Sequence, residues 1–235
     1  MPPGPPRHDH ILPNFSSHDH ALLTNSSLRT IIARDNTSIF VQTTNTPLST
    51  DLVREFVIAG HGNPEKVRKM LEERPDLLNT AYAWTESDHE TAIQAAAQVG
   101  NVPIAEYLLE NGAPLEICTA AMLGNKEEVE KRIGENPQSI NSTGAHGIPL
   151  LMHSAWSGDI ELVQYLFRNG AKTGSSSALQ NAVTRGYYDL VVWLVENAGP
   201  DLNAKNFQGK TPLSVAIEKK QEIIAQLLRD HGAKE

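Results

Sequence analysis

Apolar positions along this chain follow two regimes. Over residues 1–50 they are sparse and show no helical period, and Pro, Ser, Thr, Asn and His dominate. From Asp51 onward they recur as pairs of amphipathic segments joined by a glycine, which predicts stacked helix–turn–helix units. Gly62, Gly100, Gly124, Gly158 and Gly186 hold the turn between first and second helix, and Lys220 takes that place near the C-terminus. Small or apolar pairs such as Ala96-Ala97, Ala120-Ala121 and Ser154-Ala155 precede each turn. They let the first helices of neighbouring units pack closely. The second helices carry runs such as Ile104, Ala105, Tyr107, Leu108, Leu109 and Leu162, Val163, Tyr165, Leu166, Phe167. Such a face is too broad for one unit to bury, so each unit needs neighbours. Gly112, Gly170 and Gly232, each followed by Ala, close second helices in the manner of a left-handed C-terminal cap.

Successive anchors lie 38, 24, 34, 28 and 34 residues apart, so long and short intervals alternate. The rule behind the irregularity is visible over two steps: Gly62 to Gly124 and Gly124 to Gly186 are each 62 residues.

The segment Thr91–Ala113, and Lys210-Thr211-Pro212-Leu213 in the last unit, resemble the ankyrin repeat with its T-P-L-H-x-A-A front and I-V-x-x-L-L-x-x-G-A back. The resemblance covers roughly residues 51–235. It is strong in units two, four, five and six, and degenerate at the front of units one and three, where the Thr-Pro turn is missing. The opening from Leu52 to Tyr82 is also similar to that of a group of bacterial ankyrin-repeat proteins without an assigned activity. The resemblance implies an all-α solenoid of about six helix–turn–helix units. The spacing restricts its β-hairpin fingers to alternate repeats, before units two (residues 84–90), four (142–147) and six (203–209). Unit six is expected to act as a polar cap, with Glu218, Lys219, Lys220 and Glu222 on its surface. The expected organisation is an extension over residues 1–50, largely disordered or loosely docked, and a repeat domain over 51–235. Residues 28–43 of the extension could form a short hairpin or lie along the end of the stack.

Charge and composition narrow the function. The 235 residues carry a net charge of −8, which argues against nucleic acid as a partner. The excess of acid lies entirely after residue 50, because Arg7, Arg29 and Arg34 balance Asp9, Asp19 and Asp35. No run of 18 apolar residues predicts a membrane span, and the start MPPGPPRHDH lacks the apolar stretch of a secretory signal. A cytoplasmic monomer is expected. The single cysteine, Cys118, has no intrachain disulfide partner and reads as a buried structural thiol.

Catalytic signatures are missing: there is no G-x-S-x-G elbow, H-E-x-x-H pair, phosphate-binding P-loop or dinucleotide fingerprint. Neither catalysis nor a cofactor is expected. Two triplets, His8-Asp9-His10 and His18-Asp19-His20, sit in a ten-residue near-duplication and offer His8, His10, His18 and His20 as weak metal ligands. The bland alternative is a duplicated, solvated low-complexity segment. Tyr107, Tyr165 and Trp193 each stand seven residues after an anchor and read as spacers between second helices. Trp156 stands two residues before its anchor, with Met122 and Gln98 at the matching places. In the ankyrin family that place faces the concave groove; the alternative is a Trp folded onto a neighbouring repeat. With finger residues Trp84, Glu86, Asp88, His89, His146 and Phe207, and with His153 and Arg185 on first helices, these form the candidate partner-binding set. The resemblance implies a non-catalytic module that binds a protein through a groove centred on units two to four, by shape and acidic complementarity. An immunity- or inhibitor-type protein that blocks a basic enzyme is the alternative.

Overall fold

The computed structural model describes residues 28–32, 38–42 and 46–234. The chain divides into two compact units at Thr46–Pro47. In the first, β1 (Leu28–Ile32) pairs antiparallel with β2 (Ser38–Gln42), Leu28 opposite Gln42 and Ile32 opposite Ser38. Of the two arrangements the sequence left open for this segment, the strands form a hairpin.

The second unit is an all-α stack. Its described helices run in six pairs: α1 (Thr50–Gly60) with α2 (Pro64–Glu73), α3 (Ala92–Val99) with α4 (Val102–Glu110), α5 (Ile117–Met122) with α6 (Lys126–Glu135), α7 (Leu150–Ser154) with α8 (Ile160–Arg168), α9 (Ser175–Arg185) with α10 (Tyr188–Asn197), and α11 (Pro212–Glu218) with α12 (Glu222–Asp230). Local chemistry fixes the boundaries. Asn63, Asn101, Asn125 and Asp159 follow the turn and cap the second helix by accepting from a backbone N–H three residues on. Thr91 and Gln94 form a reciprocal capping box at the start of α3. The turn residue is left-handed at Gly100 (φ 69°) and at its non-glycine counterpart Lys220 (φ 57°). Gly62 departs from this pattern: it has no positive φ, and α1 ends instead on a right-handed His61.

Small residues bring the first helices together as expected. A Cβ added at Gly60 would lie 2.5 Å from the Ala92 carbonyl, so α1 and α3 touch backbone to backbone. The expected spacers are half-buried between second helices: Trp193 meets Phe167 edge-on at 5.5 Å, and the Arg68 guanidinium lies 5.4 Å from the Tyr107 ring. Buried apolar residues form two clusters, one from Val53 to Ala113 plus Met122, the other from Cys118 to Leu228. The seam between them runs through unit three.

Long and short connections alternate, but only one of the three expected fingers is a two-stranded hairpin. β3 (Ala81–Ala83) pairs with β4 (His89–Thr91) before α3. Before α7 there is a single bridge, Thr143 to Pro149, around a 3-10 turn at Ala145–Gly147. Before α11 the described chain forms a turn without strands, closed by Asn206 N–H to the Lys210 carbonyl at 2.9 Å. Ladders need matched extended residues, and these two connections spend theirs on 3-10 and Asn-centred turns.

Candidate functional site

The first helix of unit three, α5, is six residues long, its N-cap Glu116 makes no side-chain cap bond, and Cys118 to Met122 are all buried. Met122 therefore has no exposed surface and packs with unit two, which corrects the expectation of a Met beside an exposed Trp. Burial pushes the Cys118 thiol up to about 12, with Glu116 adding to the effect, so the thiol stays protonated.

Units four and five send side chains past unit three to cap the end of α3. A helix C-terminus leaves carbonyls without intrahelical partners. Here His153 Nδ1–H donates to the Ala97 carbonyl (3.1 Å), Trp156 Nε1–H to that of Gln98 (2.9 Å) and Arg185 Nη2 to that of Gly100 (2.5 Å). The Arg185 guanidinium also lies 5.2 Å from the Trp156 ring centre. Trp156 is thus folded onto unit two, skipping unit three, and keeps one face half-exposed. His153 is buried rather than available to a partner. Because a carbonyl only accepts, its Nδ1 carries the proton and its unpartnered Nε2 is bare. Desolvation lowers its pKa to about 4, so the ring is neutral at physiological pH.

A second cluster joins units one, two and four around a buried carboxylate. Glu90 is fully buried at the centre of β4. Its Oε2 accepts from Trp84 Nε1–H at 2.8 Å and lies 3.4 Å from His146 Nε2. Its Oε1 has no hydrogen-bond partner, but His61 Nε2 stands at ion-pair distance, 3.4 Å. That carboxylate is the main reason the His61 pKa is raised, ahead of the opposing effect of burial. Asp88 accepts from the His146 backbone N–H at 3.0 Å and holds His146 Nδ1 at 2.5 Å, and this pairing lowers the Asp88 pKa. Trp84 packs edge-on to Tyr82, with ring centres 4.8 Å apart. Four finger residues that the sequence offered as recognition groups, or grouped with them, therefore bind one another. Glu86 and His89 remain exposed on that finger. Among the described residues no three His, Cys, Asp or Glu side chains are arranged to hold a metal ion. His8, His10, His18 and His20 lie outside the described residues.

An open groove reaches from the end of unit two past unit four to unit six. A cleft of about 620 Å³ is lined by Gln98 and Val99 of unit two, by Ile148, Met152 and Trp156 of unit four, by the groove face of α9, and by the third finger with the start of unit six. No residue of unit three reaches it. Phe207 at its rim is 93% exposed. On α9, Gln180 is buried and donates through Nε2 to the carbonyls of Ala204 (2.9 Å) and Lys210 (3.0 Å), which fastens the finger to the wall. Asn181 donates to the Met152 carbonyl at 3.0 Å. Neither was singled out from the sequence. Other units also carry polar residues at these two places, Gln94 beside Gln180 and Thr119 and His153 beside Asn181, so the repeat position alone gave no signal.

Family models for ankyrin repeats match residues 117–206, 151–235 and 88–120, which together exceed half of the 235 residues. The chain belongs to the ankyrin-repeat family, whose repeats are protein–protein interaction modules. Among its relatives is a fowlpox virus protein named for ankyrin repeats, 30% identical over 51% of this chain and 28% of its own length. An I-kappa-B-like protein of Microplitis demolitor bracovirus is 24% identical over 52% of this chain and 80% of its own. A cyclin-dependent kinase inhibitor 2A of Monodelphis domestica is 25% identical over 49% of this chain and 69% of its own. The first two relatives are matched over only 28% and 45% of their lengths. No described helix is long and apolar enough to cross a membrane.

Proposed function

We propose that this chain is a non-catalytic binding module that holds a protein partner in the cleft of units four to six, with Trp156 on its floor and Phe207 at its rim. The observation that carries this reading is the 93% exposure of Phe207 beside half-exposed Ile148, Met152 and Trp156. A large apolar side chain held at a rim is the kind of group that dominates an interface once covered. The tip of the first finger, with Glu86 and His89, adds a polar flank. Affinity capture from a native lysate with the full chain tests this reading against Phe207→Ala. A partner retained by the wild type and weakened about tenfold or more by the substitution supports it. A partner held equally by both chains removes the cleft from the binding face.

The name of one relative, a cyclin-dependent kinase inhibitor, favours a more specific form, in which the bound partner is an enzyme that the module blocks. A captured enzyme whose turnover is unchanged by a saturating amount of the chain would reject it.

A further inference from the structure

We propose that the cleft receives an extended segment of the partner that carries a carboxylate close to a bulky apolar side chain. The inference rests on the cleft being the binding face and adds the chemistry of what fills it.

Charge supports it first. The chain is strongly acidic, yet α3, α5 and α7 contain no acidic or basic residue besides neutral His153. Among residues lining the cleft, three lysines (Lys205, Lys210, Lys219) meet one acid, Glu218. Lys210 is paired with Glu218 at 2.5 Å. Lys205 and Lys219, both exposed, form no ion pair within 4.0 Å among the described residues. Lys219 adds to the pull of Lys210 on the Glu218 carboxylate, so two cations share one acid and Lys205 has none. The cleft is therefore a cationic patch on an anionic protein, the reverse of the acidic complementarity expected from net charge. A carboxylate is steered toward that patch and a basic segment is repelled from it.

Shape points the same way. The lining runs from the ends of α3 and α7 along α9 to the third finger and α11, an elongated course rather than a single pit. An extended chain fits such a course and sends alternate side chains to opposite faces. One side chain then meets Trp156 and Met152 while a neighbour reaches Lys205 or Lys219. The volume of about 620 Å³ lies within the range typical of pockets that enclose a ligand.

The test is a selection of random peptides of about twelve residues, some 40 Å when extended, displayed on phage against the full chain. Selected peptides are then measured by fluorescence anisotropy on wild type, Phe207→Ala and the double variant Lys205→Glu/Lys219→Glu. All three side chains are exposed, and unchanged melting curves confirm that the variants fold. The expected result is enrichment of Asp or Glu near Leu, Ile, Met or an aromatic residue. Affinity should fall about tenfold in the double variant, and on the wild type it should fall as salt is raised. Peptides that lack acids, or that bind the double variant normally yet lose binding to Phe207→Ala, overturn the acidic occupant and leave the cleft reading standing. Peptides indifferent to all three substitutions overturn both. A failure to enrich any peptide overturns the extended segment. A dimer in sedimentation equilibrium that Phe207→Ala dissolves gives the cleft to a second copy and overturns a foreign segment.

Discussion

His153 should make the fold sensitive to mild acid, and the size of the effect follows from its surroundings. The ring is 1% exposed and hydrogen-bonded only through Nδ1, and its pKa drops from the usual 6.5 to about 4. An unfolded chain takes up this proton near pH 6.5, whereas the folded chain resists until about pH 4. Between those values the unfolded state binds more protons, so stability is fully present above 6.5 and drains as pH falls toward 4. A pKa difference of this size is worth about 3 kcal/mol in full, and about 2 kcal/mol of that is lost between pH 7 and pH 5. The perturbation is His153→Asn, whose amide places a donor near Nδ1 for the Ala97 carbonyl and has no proton to gain. The variant is less stable at neutral pH because Asn is smaller than the pocket, by about 1–3 kcal/mol. Its stability should nevertheless fall less steeply with acid than that of the wild type, by about 2 kcal/mol over that interval. Urea titrations followed by circular dichroism at both pH values measure the difference. The carboxylates and His61 titrate in both proteins and cancel in the comparison. Parallel profiles, agreeing within about 0.5 kcal/mol, would refute the reasoning, because they would mean that His153 ionises as readily in the fold as outside it.

Further substitutions probe other parts of the stack. Glu90→Gln should move the His61 titration midpoint, followed by NMR, back down toward 6.5, since Glu90 is the leading cause of its elevation. The stabilisation from that pair is present below 6.5 and lost as pH rises through the raised value, so the variant should lose this alkaline decline; an unmoved midpoint counts against the pairing. Gly60→Ala puts a methyl 2.5 Å from the Ala92 carbonyl and should cost about 1–3 kcal/mol in urea unfolding, whereas no change would mean that α1 and α3 do not touch there. Lys220→Gly relieves a left-handed φ of 57° and should raise stability by about 1 kcal/mol, seen as a higher melting temperature; a lower one would show that the turn is not strained.

What could be read from the chain was what depends on near neighbours. Helix pairing, the turn at each anchor and the alternation of connection lengths follow from residues within one unit, such as Asn101 behind Gly100 or Thr91 ahead of Gln94. The exceptions were set by tertiary contacts. Met122 and Trp156 hold equivalent places in the repeat, and the reading treated them alike. Met122 is sealed in the apolar cluster of units one and two, against which Trp156 also packs, and nothing in unit three announces that. Gly62 had the right neighbours for a left-handed turn, but α1 closes on His61, whose ring is drawn toward Glu90 twenty-nine residues away. The Glu90 cluster assembles His61, Trp84, Asp88 and His146 from three units, so no local spacing encodes it. Net charge misled for a related reason. It sums over every face, whereas Lys205 and Lys219 come to one cleft only when the third finger is fastened down by Gln180.

The degenerate third repeat gains a meaning from this. In a regular solenoid each unit touches only its neighbours, and stability is a sum of unit and interface contributions. Here the apolar core is divided at unit three, and the division is bridged by polar bonds that skip it. His153, Trp156 and Arg185 cap carbonyls at the end of α3, and His146 reaches Asp88 and Glu90. The carbonyls of Ala97, Gln98 and Gly100 supply the acceptors for these bonds at the end of α3. Units two, four and five are thereby joined in a single hydrogen-bonded body, with Trp156 fixed from below and Arg185 lying over its ring. The cleft is lined in part by that body, through Gln98, Val99 and Trp156, and its outer wall is the finger that Gln180 secures. The bonds that skip unit three thus fix residues that line the cleft.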